Sequence, residues 1–115
     1  MAGVTGSIQA SEALRLEDLI TPTDHGIASR VLAKNGGGSV TLFAFADGEG
    51  LSEHTAPFDA LVLVLEGTLR LTIGGQAVTA DAGVIVRMPA GVPHAVDASS
   101  AARMLLIMLR EPKPA

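Results

Sequence analysis

The sequence predicts an all-β protein, either a sandwich or a barrel of short strands, and three observations support this prediction. Apolar residues alternate with polar ones or form short blocks, which recur at intervals of about ten residues. Gly, Pro, Asp and Asn separate these blocks. No long segment has the apolar period of an amphipathic helix. With 115 residues the chain has the size of one domain with one core.

Seven apolar blocks are predicted to be strands, over residues 27–34, 39–46, 60–66, 69–73, 76–79, 84–88 and 103–109. Residues 14–19 fit either a strand or a single helical turn, and we favour a short strand. The two ends of the chain lack such a pattern. We therefore expect a flexible N-terminal segment over residues 1–10, a single barrel over 11–110, and a C-terminal tail over 111–115.

Two groups of glycines predict hairpin turns. Gly74 and Gly75 lie between the blocks LRLTI and QAVTA, and a type I′ turn needs a positive φ angle at both central residues. Gly36, Gly37 and Gly38 are predicted to form a flexible hairpin loop, because the Lys and Ser or Thr of a phosphate-binding loop do not follow them.

Composition and charge exclude several classes of function. The absence of cysteine excludes disulfides, thiolate metal sites and a cysteine nucleophile. A net charge of −4, with three Phe and no Tyr or Trp, argues against a nucleic-acid partner. No stretch approaches the roughly 20 apolar residues of a membrane span, and the N-terminus does not have the pattern of a signal peptide. We expect a cytoplasmic protein with no membrane partner.

Two segments combine Gly, Pro and His at spacings that ordinary strands do not need. They are GEGLSEHTAPFDALVLVLEG, residues 48–67, and GVIVRMPAGVPH, residues 83–94. Each places its histidine, His54 or His94, at the end of a turn where the chain enters or leaves a strand. Such positions direct the imidazole into the mouth of a small barrel, where binding sites lie. A single histidine is more often structural, but two on facing hairpins predict a shared site.

Both segments resemble the two motifs of the cupin superfamily, and most closely those of the small bacterial cupins called conserved-barrel domain proteins. The resemblance covers residues 27–109 and implies a double-stranded β-helix, a jelly-roll-like barrel. It also implies a homodimer. The matching positions are Gly48, His54 and Gly67 in the first motif, and Gly83, Pro89, Gly91 and His94 in the second.

The chain departs from the family at its metal ligands. Ala56, Ala60 and Ala98 occupy the positions of the second His, the Glu and the closing Asn. Two of four ligands remain, His54 and His94, so we expect at most a weakly bound divalent ion such as Ni, Zn, Mn or Fe.

Three further residues could in principle supply a missing ligand. Asp59 is expected to act in its own turn, because it should face away from the side on which Ala60 lies. Glu53 should face outward by the same argument. His25 lies in the loop TPTDHG and is interpreted as exposed.

Three alanines in place of polar ligands make the mouth larger and more apolar, which suits a small organic molecule. We predict that His54 and His94 orient such a molecule. Its apolar lining is predicted to come from Phe43, Phe45, Phe58, Met88, Met104 and Met108. The alternative is a metal-dependent cupin enzyme of the dioxygenase, isomerase or lyase type, with a third ligand that the sequence does not identify. Arg87 is interpreted as a solvated outer residue, or else as an anchor for a carboxylate.

Overall fold

The fold consists of two antiparallel sheets, seen in a computed structural model that describes residues 7–110. Over that range it contains a short 3-10 helix, Leu16–Asp18, and nine strands. The strands are β1 (Ile27–Asn35), β2 (Gly38–Phe45), β3 (Gly50–His54), β4 (Asp59–Glu66), β5 (Thr68–Ile73), β6 (Gln76–Asp81), β7 (Ile85–Met88), β8 (His94–Ala98) and β9 (Ala102–Leu109).

The strand order identifies the barrel. The five-stranded sheet has the order β1-β2-β9-β4-β7, and the four-stranded sheet has the order β3-β8-β5-β6. Strands that are neighbours in space are therefore mostly not neighbours in sequence, as in a jelly roll. The double-stranded β-helix predicted from the sequence is confirmed.

Strand β4 shows how the apolar pattern builds the core. Ala60, Val62 and Val64 are buried, while Leu61 and Leu63 between them are partly exposed on the other face. Burying a side chain such as Val62 stabilises the fold by roughly 1.5–3 kcal/mol. The core between the sheets is completed by Phe45, Leu69, Leu71, Ala80, Met88, Val96, Ala98, Ala102 and Met104.

All seven predicted strands are present, with ends that differ by one or two residues. The sequence missed β3 and β8, because the segments GLSEH and HAVDA are short and have few large apolar residues to show a period.

The short strand predicted at 14–19 is wrong, because residues 16–18 form the 3-10 helix. Two backbone hydrogen bonds within the segment stabilise this helix. The amide of Asp18 donates to the carbonyl of Arg15, and the amide of Leu19 donates to the carbonyl of Leu16. The Arg103 guanidinium donates to the carbonyl of Glu17 and so ties this segment to β9.

The predicted N-terminal segment is only partly described. The amide of Ile8 donates to the carbonyl of Leu32 on β1 at 2.8 Å. Residues 1–6 and the predicted tail, 111–115, lie outside the described residues. No helix within residues 7–110 is long and apolar enough to cross a membrane.

The two predicted glycine hairpins are present. Gly74 and Gly75 have φ angles of 57° and 83°, as a type I′ turn requires. Gly36 and Gly37 connect β1 to β2, whose end residues Asn35 and Gly38 are paired.

Candidate functional site

His54 and His94 come together because of an irregularity in β3. Leu51 lies opposite Val96 and His54 lies opposite His94, so β3 contains one residue more than β8 between these two pairs. This is a β-bulge. In a regular strand Leu51 and His54 would point to opposite faces. With the bulge, Leu51 packs against the core and the ring of His54 contacts that of His94.

The two imidazole rings contact each other edge to face. They differ in their exposure to solvent. Their ring centroids lie 4.4 Å apart at an interplanar angle of 68°. The two Nε2 atoms are 3.2 Å apart. His94 is 5% exposed, whereas His54 is exposed at the surface. The pair therefore has one buried and one accessible member. Their contact agrees with the prediction that the two histidines face each other.

Backbone carbonyls favour a proton on the Nδ1 atom of each ring. The Nδ1 of His54 lies 2.8 Å from the carbonyl oxygen of Ser52, and the Nδ1 of His94 lies 3.2 Å from that of Val92. A carbonyl oxygen can only accept, so each Nδ1 is assigned as the donor. In the neutral pair the two Nε2 atoms then face each other as acceptors 3.2 Å apart, with no proton between them. The site can accept hydrogen bonds or coordinate a cation.

Backbone hydrogen bonds connect the loop before His94 to the segment after His54 and to the β5–β6 turn. The amide of Gly91 donates to the carbonyl of Ala56 at 2.9 Å, and the amide of Gly74 donates to the carbonyl of Pro93 at 2.8 Å. The loop between β7 and β8, residues 89–93, is thereby held against the linker between β3 and β4 and against the β5–β6 turn.

Asp59 adds a side-chain connection to this loop. Its Oδ1 accepts the amide of Ala90 and its Oδ2 accepts Nη1 of Arg87, both at 2.9 Å. The Ala90 amide first, and the Arg87 side chain second, hold the pKa of the Asp59 carboxyl below its ordinary value of 3.8. The sequence predicts that Asp59 acts in its own turn, but both of its contacts lie outside that turn, on β7 and in the loop that follows it. Arg87 is exposed, as a solvated outer residue should be, and it also pairs with Asp59.

The six predicted apolar residues occupy three different environments. Phe45, Met88 and Met104 are buried in the core. Phe43 and Met108 are partly buried against it, and the rings of Phe43 and Phe45 stack at 6.0 Å. Phe58 is partly exposed, with the guanidinium carbon of Arg110 5.0 Å from its ring centroid. A ligand-binding role for these residues stays a prediction.

Of the side chains that the structure describes at this site, only those of His54 and His94 could bind a metal ion. Among residues 7–110 no three His, Cys, Asp or Glu side chains form a group that could hold an ion. Ala60, at the family's Glu position, is buried and pairs with Met88 on one side and Met108 on the other. Two Nε2 atoms 3.2 Å apart could nevertheless occupy adjacent positions on one ion at bonds of about 2.0–2.1 Å.

Two surface cavities lie away from the histidines. A groove of about 430 Å³ lies between residues 14–17 and the side chains of Leu65, Glu66 and Arg103. A smaller pocket of about 210 Å³ lies between the β1–β2 hairpin and the end of β9. Neither cavity is lined by His54 or His94.

Comparison with known proteins agrees with the fold. The family model described as "Cupin domain" matches residues 41–109. A cupin superfamily protein from Desulfitobacterium hafniense is 30% identical with a TM-score of 0.84, over 91% of this chain and 96% of that chain. A conserved protein of unknown function from Streptococcus pyogenes is 29% identical with a TM-score of 0.87, over 93% and 94%.

A third structure is similar over part of a longer protein. It is a cupin 2 conserved barrel domain protein from Leptotrichia buccalis, 32% identical with a TM-score of 0.78, over 81% of this chain and 45% of that chain. No curated protein matches the sequence. The match to the domain model covers more than half of the 115 residues and agrees with the two-sheet topology. The chain belongs to the cupin superfamily.

Proposed function

We propose that this cupin binds a small organic molecule at the mouth of its barrel, and that His54 and His94 are the two polar groups that orient it. The observation that supports this proposal is the pair of Nε2 atoms 3.2 Å apart, with each Nδ1 facing a backbone carbonyl. Two neighbouring acceptors favour a ligand that presents a hydrogen-bond donor to both.

We propose an apolar ligand body from the residues that follow His54 in the chain. Ala60 at the start of β4 is paired with Met88 and Met108 on the adjacent strands, and of these three only Met108 is partly exposed. Binding sites of small barrels combine such an apolar lining with a few polar groups that fix orientation. Phe58 lies in the linker between His54 and β4 and is partly exposed. We therefore propose a ligand with an aromatic or aliphatic body and one O–H or N–H donor.

A matched pair of probes tests this proposal. Phenol carries an O–H donor, and anisole has nearly the same shape without it. At about pH 8.5, where imidazoles are ordinarily neutral, phenol should shift the ring NMR signals of both histidines more than anisole does. The variant His94→Ala should lose the difference. Equal effects of the two probes, or an unchanged difference in His94→Ala, would contradict the proposal.

A metal-dependent enzyme is the second candidate, favoured by the spacing of the same two nitrogen atoms. His54 and His94 would hold the ion, and a divalent ion supplies Lewis acidity toward an oxygen ligand when it is bound. Metal analysis of protein purified without added metal separates the two candidates. One tightly held ion per chain would favour the enzyme.

We also propose that two copies of the chain pair through the outer face of the five-stranded sheet. Apolar side chains on that face alternate with the core residues and remain partly or largely exposed. They include Leu61 and Leu63 on β4, Ile85 on β7, and Leu105, Ile107 and Leu109 on β9. Ile85 is 56% exposed and Leu109 is 48% exposed. Exposed apolar surface of this kind favours a protein partner, and a second copy presents the same surface.

A further inference from the structure

Asp59 connects three parts of the molecule through one carboxylate. It is the first residue of β4, its Oδ2 accepts a hydrogen bond from Arg87 on β7, and its Oδ1 accepts one from the amide of Ala90. Arg87 and Asp59 are both substantially exposed, with side-chain exposures of 63% and 38%. An exposed ion pair of this kind contributes little to the stability of a fold. Its geometry has a more specific consequence.

The loop that Asp59 holds also contains the group that orients His94. Ala90 lies two residues before Val92, whose carbonyl faces the Nδ1 of His94. If the loop moved, this carbonyl would leave Nδ1. The imidazole could then place its proton on Nε2, which faces His54. The direction of the His94 lone pair therefore depends on the position of residues 89–93.

The Asp59 contact acts near the centre of this loop. The amides of Ala90 and Gly91 are adjacent, and they donate to Asp59 and to the carbonyl of Ala56. Ala56 lies two residues after His54, so the same two contacts join the histidine segments to each other. Arg87 fixes the carboxylate from its other side, which leaves Oδ1 directed at Ala90.

We propose that Asp59 is a positioning residue of the two-histidine site. Through the Ala90 amide it fixes loop 89–93, the carbonyl of Val92 keeps the proton of His94 on Nδ1, and Nε2 stays available for a ligand. This proposal rests on the proposed function in one respect only, namely that the Nε2 atom of His94 binds the ligand. The protonated nitrogen can be measured without any ligand, so failure of ligand binding and failure of this proposal are distinguishable.

The test compares three variants by NMR correlation of the histidine ring nitrogens at about pH 9, where neutral imidazole dominates. Asp59→Ala removes the acceptor, and His94 should change from mainly Nδ1–H to a mixture of both tautomers. Asp59→Asn keeps an oxygen that can accept from Ala90 and should restore the wild-type pattern. Asp81→Ala is the matched control, because it removes an exposed side-chain hydrogen bond with Thr68 on the β5–β6 pair.

In the NMR comparison of the variants, either of two results would overturn the proposal. The first is a His94 that stays mainly Nδ1–H in folded Asp59→Ala. The second is an equal change in Asp81→Ala, which would indicate a general loss of stability. If Asp59→Ala does not fold, amide exchange in the Asp59→Asn variant and the wild type provides the test. The Ala90 amide should exchange slowly in both, on the order of tenfold or more below the rate of an open loop amide, and rapid exchange in the wild type would contradict the proposal.

Discussion

His54 and His94 are paired residues on neighbouring antiparallel strands, and their Nε2 atoms lie 3.2 Å apart. The pairing depends on the bulge in β3, which turns His54 to the face that His94 already occupies. With the proton of each ring directed to a carbonyl, the neutral pair offers two lone pairs and no donor between them. The pair can therefore accept a hydrogen-bond donor or bind a cation, as the proposed function requires.

Restoring the missing family ligands should create a stronger metal site. In the double variant Ala56→His and Ala60→Glu, two added ligands replace water around an ion held by His54 and His94. Affinity for Zn²⁺ should rise roughly 100-fold. Because Ala60 is 3% exposed, the new carboxylate is buried and should lower the Tm of the metal-free protein.

Calorimetry and thermal unfolding with and without Zn²⁺ measure both effects. The matched control is Ala56→Gln with Ala60→Gln, which adds similar volume without a carboxylate or an imidazole. An equal gain in affinity in that control would contradict the assignment of Ala56 and Ala60 to the vacated positions.

The Gly74-Gly75 turn should tolerate no β-branched residue. Both residues have positive φ angles, and a Cβ at position 74 would lie 3.2 Å from Cγ1 of Val92. Replacing both by Val should lower the free energy of unfolding by about 2 kcal/mol or more. Chemical denaturation measures the change. Gly36→Val is the control, because a Cβ there meets no atom within 4 Å; an equal loss in the control would show that the turn geometry is not the cause.

The Asp59 contacts should make stability depend on pH in a defined direction. The pKa of Asp59 is lowered in the folded protein, so its contribution is complete above the unfolded value, 3.8, and is lost as pH falls through the folded value. The Tm difference between the wild type and Asp59→Asn should therefore be small, because the ion pair is exposed, but largest near neutral pH, and it should shrink below about pH 4. Glu12→Gln, an exposed change of the same charge, serves as the reference. A difference that grows in acid would contradict this assignment.

If the protein is a homodimer, one substitution in the proposed interface should halve its molecular mass in solution. Ile107→Lys places a charge on the outer face of β9 and should convert the dimer to a monomer at micromolar concentration, because an unpaired charge is costly to bury in an interface. Light scattering after size exclusion measures the mass. Ala77→Lys, an exposed change on β6 of the other sheet, should leave the dimer intact. A monomeric wild type would contradict the proposal.

The sequence predicted the strands that show a clear apolar period, such as β4 with its alternating Ala, Val and Leu residues. It also predicted that His54 and His94 would meet, because the fixed spacings of Gly, Pro and His determine where each turn ends. The bulge in β3 and the contact of Asp59 with Ala90 could not be predicted. Both depend on the register between segments about 30 or more residues apart, and a register is set by packing across strands.

Calorimetric titration of the unmodified protein with Zn²⁺ tests the central claim most directly, namely that this barrel has an open site with two imidazole ligands. Weak binding is expected, with a Kd in the micromolar range or above, since most of the coordination sphere is left to water. His54→Ala and His94→Ala should each abolish it. Tight binding of one ion per chain, at a nanomolar Kd that survives removal of either histidine, would contradict the claim.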